Sequence, residues 1–120
     1  MKVMVLIKAS KDSEAGVMPS RQLLADMGKF NEELVKAGIM LAGEGLHPSS
    51  KGARVRFAGK SRLVTDGPFA ETKEQIGGFI LIEAKDLDEA IQLASHIPAI
   101  RLGAVEVRPI KELVHSSRQR

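Results

Sequence analysis

Two uninterrupted apolar runs constrain this chain more than anything else in it. Val3 to Ile7 and Phe79 to Ile82 carry no polar residue, and both are too short for helices. They are rich in branched side chains, so each reads as a strand buried on both faces, with the second extending over residues 76 to 84. Between and after them the period changes. Leu23, Leu24, Met27, Phe30, Leu34 and Val35 recur at three- and four-residue spacing, which predicts a helix started at Pro19-Ser20 and stopped at Gly38. Asp86 with Glu89 forms a capping-box pattern ahead of a second helix, whose buried face is expected at Leu87, Ala90, Ile91 and Ala94, with Pro98 closing it.

Shorter strands complete the order. Residues 39 to 42 form one, followed by a loop from Gly43 to Gly52. Arg54, Val55, Arg56 and Phe57 alternate strictly, placing both arginines on one strand face. Gly59-Lys60 then turns the chain into a second hairpin strand over 62 to 65. Val105 to Arg108 is the last strand, Lys11 to Gly16 reads as a polar loop, and Ile110 to His115 as one further turn. The sum is a ferredoxin-like βαββαβ α+β plan with a β-hairpin inserted at 53 to 66. Its helices cover one face of an antiparallel sheet. Since both apolar strands also need cover on the other face, a homodimer packed sheet to sheet is expected. The domain is assigned to residues 1–115, with 116–120 as a polar tail.

Composition removes several function classes. At 120 residues there is room for one domain, and without cysteine there are no disulfides, thiol nucleophiles or cysteine-bound metals. No apolar run approaches the length of a membrane span, and Lys8, Lys11 and Asp12 break any signal-peptide pattern, so a cytoplasmic location is expected. The net charge of +3 is local. From Gly45 to Thr65 every charge is positive (Lys51, Arg54, Arg56, Lys60, Arg62), and without those five the chain holds 13 positive groups against 15 negative. Only Phe57 interleaves an aromatic among them, which makes nucleic acid an improbable partner.

The sequence Asp66-Gly67-Pro68-Phe69 reads as a turn bearing one of the four aromatics, followed by Glu71, Lys73 and Glu74. In an extended segment Glu71 and Lys73 share a face, where a carboxylate and an ammonium tune one another. The plain alternative is a rigid turn leading into a charged connector. Arg54 and Arg56 likewise read either as a clamp for a carboxylate or phosphate, or as charge guarding an exposed edge. His47 is the histidine nearest this region; His96 follows the second helix and His115 lies near the tail. No histidine pair has ligand spacing, so neither metal nor cofactor is expected.

The stretch VTDGPFAETKExxGGF at 64–79, with LDEA at 87–90 and GxVEVRP at 103–109, is similar to the signature of the DGPF-domain branch of the YCII-related family. The resemblance covers nearly the whole chain and implies a dimeric α+β barrel of ferredoxin-like subunits. It also implies a link to extracytoplasmic-function sigma factors, beside or fused to which such proteins are often encoded. Within the wider family a His and Asp pair has been proposed as catalytic, the histidine on the first helix. The matching position here falls near Asp26, and no histidine occurs before His47, so that chemistry does not carry over.

Three functions follow. One is a small-molecule enzyme, with Asp66 or Glu71 as general base and a small, anionic substrate held by Lys73 or an arginine. Phe69, His47, Arg54 and Arg56 would complete that site. The second is a ligand- or partner-binding module in sigma-factor-linked regulation. Nucleic-acid binding through the hairpin is the third and weakest.

Overall fold

The computed structural model describes residues 1–69 and 75–112. Its elements are β1 (Lys2–Lys8), α1 (Lys11–Glu14), α2 (Arg21–Lys36), β2 (Met40–Gly45), β3 (Ala53–Ala58), β4 (Ser61–Asp66), β5 (Ile76–Glu83), α3 (Leu87–Ala94) and β6 (Val105–Pro109). β2, β5, β1 and β6 form one antiparallel sheet in that order, and β3 pairs with β4 in a separate two-stranded ribbon. The sheet order agrees with the βαββαβ plan, the two apolar strands lying side by side at its centre.

Register decides which side chains become core. Val3 stands opposite Ile82 and Val5 opposite Ile80, so these four project from one face. They are buried beneath Leu34 of α2 and Ala90 and Ala94 of α3, with Ile97 closing the cluster. On the reverse face Met4 opposes Leu81 and Leu6 opposes Phe79, all four half-buried. Charged residues flank them: Glu106 of β6 accepts from Arg108 at 3.1 Å and pairs with Lys8 at 3.4 Å. Arg108 and then Lys8 hold the Glu106 carboxyl below its ordinary range.

Capping follows the side chains. Ser20 accepts from the Leu23 amide to start α2, and Asp86 from the Glu89 amide to start α3. Four local expectations are corrected. Lys11 to Glu14 is a short helix rather than loop, because Ser10 and Ser13 bond reciprocally across its first turn. Pro98 does not merely end α3 but opens a 3₁₀ segment, Pro98–Leu102, its missing amide costing nothing at that position. Ala90, Leu93 and Ala94 of α3 reach the core, whereas Leu87 and Ile91 are exposed at 39% and 48%. Ile110 makes no turn either; its amide donates to the Lys2 carbonyl, prolonging the sheet edge. The rest of that expected turn, with His115 and the tail, lies outside the described residues.

Candidate functional site

The signature begins where the hairpin re-enters the body. Gly59, at φ 64°, and Lys60 join β3 to β4, and Ala58 opposes Ser61 across this two-residue loop. Arg54 and Arg56 share one ribbon face, as their alternation predicts, while Val55, Val64 and Phe57 share the other. At the base of the ribbon the Gly67 amide donates to the Gly52 carbonyl at 3.0 Å. The Gly67–Pro68 peptide is cis. A Cβ at position 67 would overlap the backbone carbonyl of Ser49, which explains why this turn carries glycine rather than any other residue.

Ser49 is the fastener of the region. It opens a 3₁₀ turn, Ser49–Lys51, behind Pro48. Its amide donates to Glu14 Oε2 at 2.8 Å and its hydroxyl to Glu14 Oε1. Its Oγ in turn accepts the Phe69 amide at 3.0 Å. Three separate segments, α1, the loop after β2 and the signature, thus meet at one hydroxyl. Sequence reasoning missed both partners. Ser10 followed by acidic residues was an available helix-start signal for the segment bearing Glu14; nothing local distinguishes Ser49.

A recess of about 300 Å³ opens beside this junction, with Glu14, His47, Ser49, Lys51, Phe69 and Ile76 among its walls. The Arg54 guanidinium lies over the Phe69 ring, 4.2 Å from its centroid. Phe69 is half-buried, whereas His47, Lys51 and Arg54 are exposed. Glu14 is held by the two Ser49 donors, and Lys51 is the basic side chain on the wall, with Arg54 just beyond it over Phe69. The structure therefore brings together His47, Phe69 and Arg54 of the expected residues and adds Lys51. Arg56 sits two residues further along the ribbon, opposite Leu63, and Asp66 is exposed opposite Ala53, outside the recess walls. Glu71 and Lys73 lie outside the described residues.

Asp26, where the wider family's histidine would fall, has a different occupation. Its carboxylate accepts from Arg101 Nη1 at 2.9 Å and Gln22 Nε2 at 2.8 Å, tying α2 to the 98–102 segment. Arg101 and then Gln22 hold its carboxyl below the usual range. Among the described residues, no group of three or more His, Asp or Glu side chains is arranged to hold a metal. No described helix is long and apolar enough to cross a membrane.

An antiparallel sheet with two helices on one face and a separate two-stranded ribbon is an α+β arrangement. Solved structures share it: 5-chloro-2-hydroxyhydroquinone dehydrochlorinase from Burkholderia phenoliruptrix, in complex with 2,5-dihydroxybenzoquinone, superposes with a TM-score of 0.53 at 16% identity. That likeness covers 99% of this chain and all of the other, and at this identity it speaks for the fold alone. The model of the YCII-related domain matches residues 1–114, and the chain belongs to that family. An uncharacterised protein of Rhizobium meliloti is 36% identical over 91 residues, spanning 74% of this chain and 73% of the relative.

Proposed function

We propose that the recess beside the signature binds a small anionic molecule, and that the chain is a DGPF-branch member built around that site. The observation that carries this reading is the placement of Lys51 and His47 on the wall of one recess beside Phe69, over whose ring the Arg54 guanidinium lies, while the recess carboxylate, Glu14, is engaged by Ser49. Phe69 supplies a flat apolar wall, Lys51 a mobile point charge, and Arg54 a guanidinium fork already oriented by stacking. If the bound molecule is a substrate, Glu71 and Asp66, the latter from outside the recess walls, are the candidates for proton transfer, with Lys73 and Arg56 as further candidate anion-binding groups. The functional unit is a cytoplasmic homodimer joined through the half-buried sheet face of Met4, Leu6, Phe79 and Leu81. Sedimentation as a monomer at micromolar concentration would remove that dimer.

Thermal-shift titration with phosphate, acetate, benzoate and 2,5-dihydroxybenzoquinone tests the site. One or more should bind saturably, and the Lys51→Ala/Arg54→Ala double variant should weaken that binding at least tenfold. No saturable response, or one the double variant leaves untouched, sinks the proposal.

A second reading, a partner-binding module in sigma-factor-linked regulation, is favoured by the ribbon, every residue of whose strands is exposed. In that case the ribbon presents Val55, Phe57 and Val64 to a protein, and none of the four anions binds.

A further inference from the structure

The recess beside the signature is walled in two unlike ways. Most of its lining is apolar, supplied by Leu46, Pro48, Phe69 and Ile76. Leu46 and Ile76 stay open to solvent all the same, exposed at 52% and 40%. Their surroundings are nevertheless fixed. The Leu46 amide donates to the Gly77 carbonyl at 2.8 Å, and the Phe69 amide to Ser49 Oγ at 3.0 Å. Apolar surface held in place in this way is ordered beforehand, so a molecule that covers it gains the burial without first ordering the wall.

The charged part of the lining is sparse. Among the described residues the wall carries one lysine, Lys51, and one carboxylate, Glu14. Lys51 is exposed, and its flexible four-carbon stem lets the ammonium meet a ligand at the opening. Arg54 lies over the Phe69 ring and is not on the wall. A second negative charge on the ligand would therefore face Glu14 with no second cation on the wall to offset the repulsion. Phosphate fits poorly for a related reason: most of its oxygens would meet apolar walls without a donor. One carboxylate asks for no more than Lys51 and water.

Size and the ring narrow the class further. An apolar cavity of about 150 Å³ already admits benzene. This recess measures about 300 Å³, room for one ring together with its carboxylate. The Arg54 guanidinium, 4.2 Å from the Phe69 centroid, draws on the negative face of that ring. A ring so polarised pairs well with an electron-rich ring, offset or edge to face. We infer that the recess takes an aromatic monocarboxylate, its ring against Phe69 and Ile76 and its carboxylate on Lys51. The inference rests on the anion-binding reading above and names the class of ligand within it. Apolar walls hold the body of the molecule and one charge orients it, the usual division of labour in small-molecule sites.

Benzoate, cyclohexanecarboxylate, acetate and phthalate are the probes, titrated by NMR with the Leu46 and Ile76 methyl groups as reporters. Benzoate should bind saturably and move both methyls through its ring current. Acetate, which keeps the charge and lacks the ring, should bind about tenfold more weakly or worse. Cyclohexanecarboxylate, matched in charge and bulk, should bind about two- to tenfold more weakly, the value of one aromatic pair. Phthalate, with its second carboxylate, should also bind more weakly than benzoate. Phe69→Leu should abolish the preference for benzoate over cyclohexanecarboxylate. No saturable binding of phosphate or of any of the four would overturn the anion site, and the ligand class with it. Acetate, phosphate, phthalate or cyclohexanecarboxylate binding as tightly as benzoate would overturn the class alone and leave an anion site standing. So would benzoate that leaves both methyls unmoved, or a preference that survives Phe69→Leu. Should Phe69→Leu fail to fold, the series on the native chain still decides it.

Discussion

The sheet and the ribbon solve the same problem of pairing strands in opposite ways. β1 and β5 lie between neighbours and under helices, and Val3, Val5 and Ile82 have no exposed surface. Among the described residues β3 and β4 pair only with one another, and Phe57, as apolar as anything in the core, is 73% exposed. A two-stranded hairpin is marginal by itself, so the ribbon's order depends on its base, where Gly52, Gly67 and Ser49 fasten it. Backbone pairing thus accounts for strand formation in both regions, whereas burial accounts for stability in only one.

That contrast can be broken by substitution. Ile82→Ala, in the fully buried centre, should cost about 2–5 kcal/mol, read as a fall in the urea midpoint. A cost below 1 kcal/mol would mean the sheet is no better packed than the ribbon. Ser49→Ala should cost about 1–2 kcal/mol and speed hydrogen exchange of the Phe69 amide, because the hydroxyl shared by Glu14 Oε1 and Phe69 is removed while the backbone amide still donates to Glu14 Oε2. Unchanged exchange would show that the base of the ribbon is fastened elsewhere. Phe57→Ser, measured where the chain is monomeric, should stay within about 0.5 kcal/mol of the native value. A larger loss would reveal packing that the ribbon does not display.

The smallest effect concerns pH. Because Arg101 depresses the Asp26 carboxyl below 3.8, the pair stabilises the fold above that value and its contribution is lost as pH falls through the depressed one. Arg101→Ala should move the Asp26 titration upward, toward 3.8, in carboxyl-detected NMR. An Asp26 titration that does not move would remove the link between α2 and the 98–102 segment.

Legibility followed periodicity. The strands around Val3–Ile7 and Phe79–Ile82, the long helix and the hairpin register were readable because their spacing encodes which face is buried. The expected α3 face failed at Leu87 and Ile91 because an eight-residue helix turns only a narrow stripe to the sheet, and Ala90 and Ala94 occupy it. The candidate site was half readable. His47, Phe69 and Arg54 belong to or flank the signature, but Glu14 reaches Ser49 from 35 positions away. Such a meeting has no local pattern.

The amide of Gly67 and the carbonyl of Gly52 close the ribbon at its root, and Phe69 follows two residues later. Mechanically, the ribbon is a lever hinged at its base, its long arm in solvent and its short arm, Gly52 and Phe69, forming part of the recess wall. Arg54 stands on the long arm and Phe69 beyond the pivot, so the contact of guanidinium with ring spans the fulcrum.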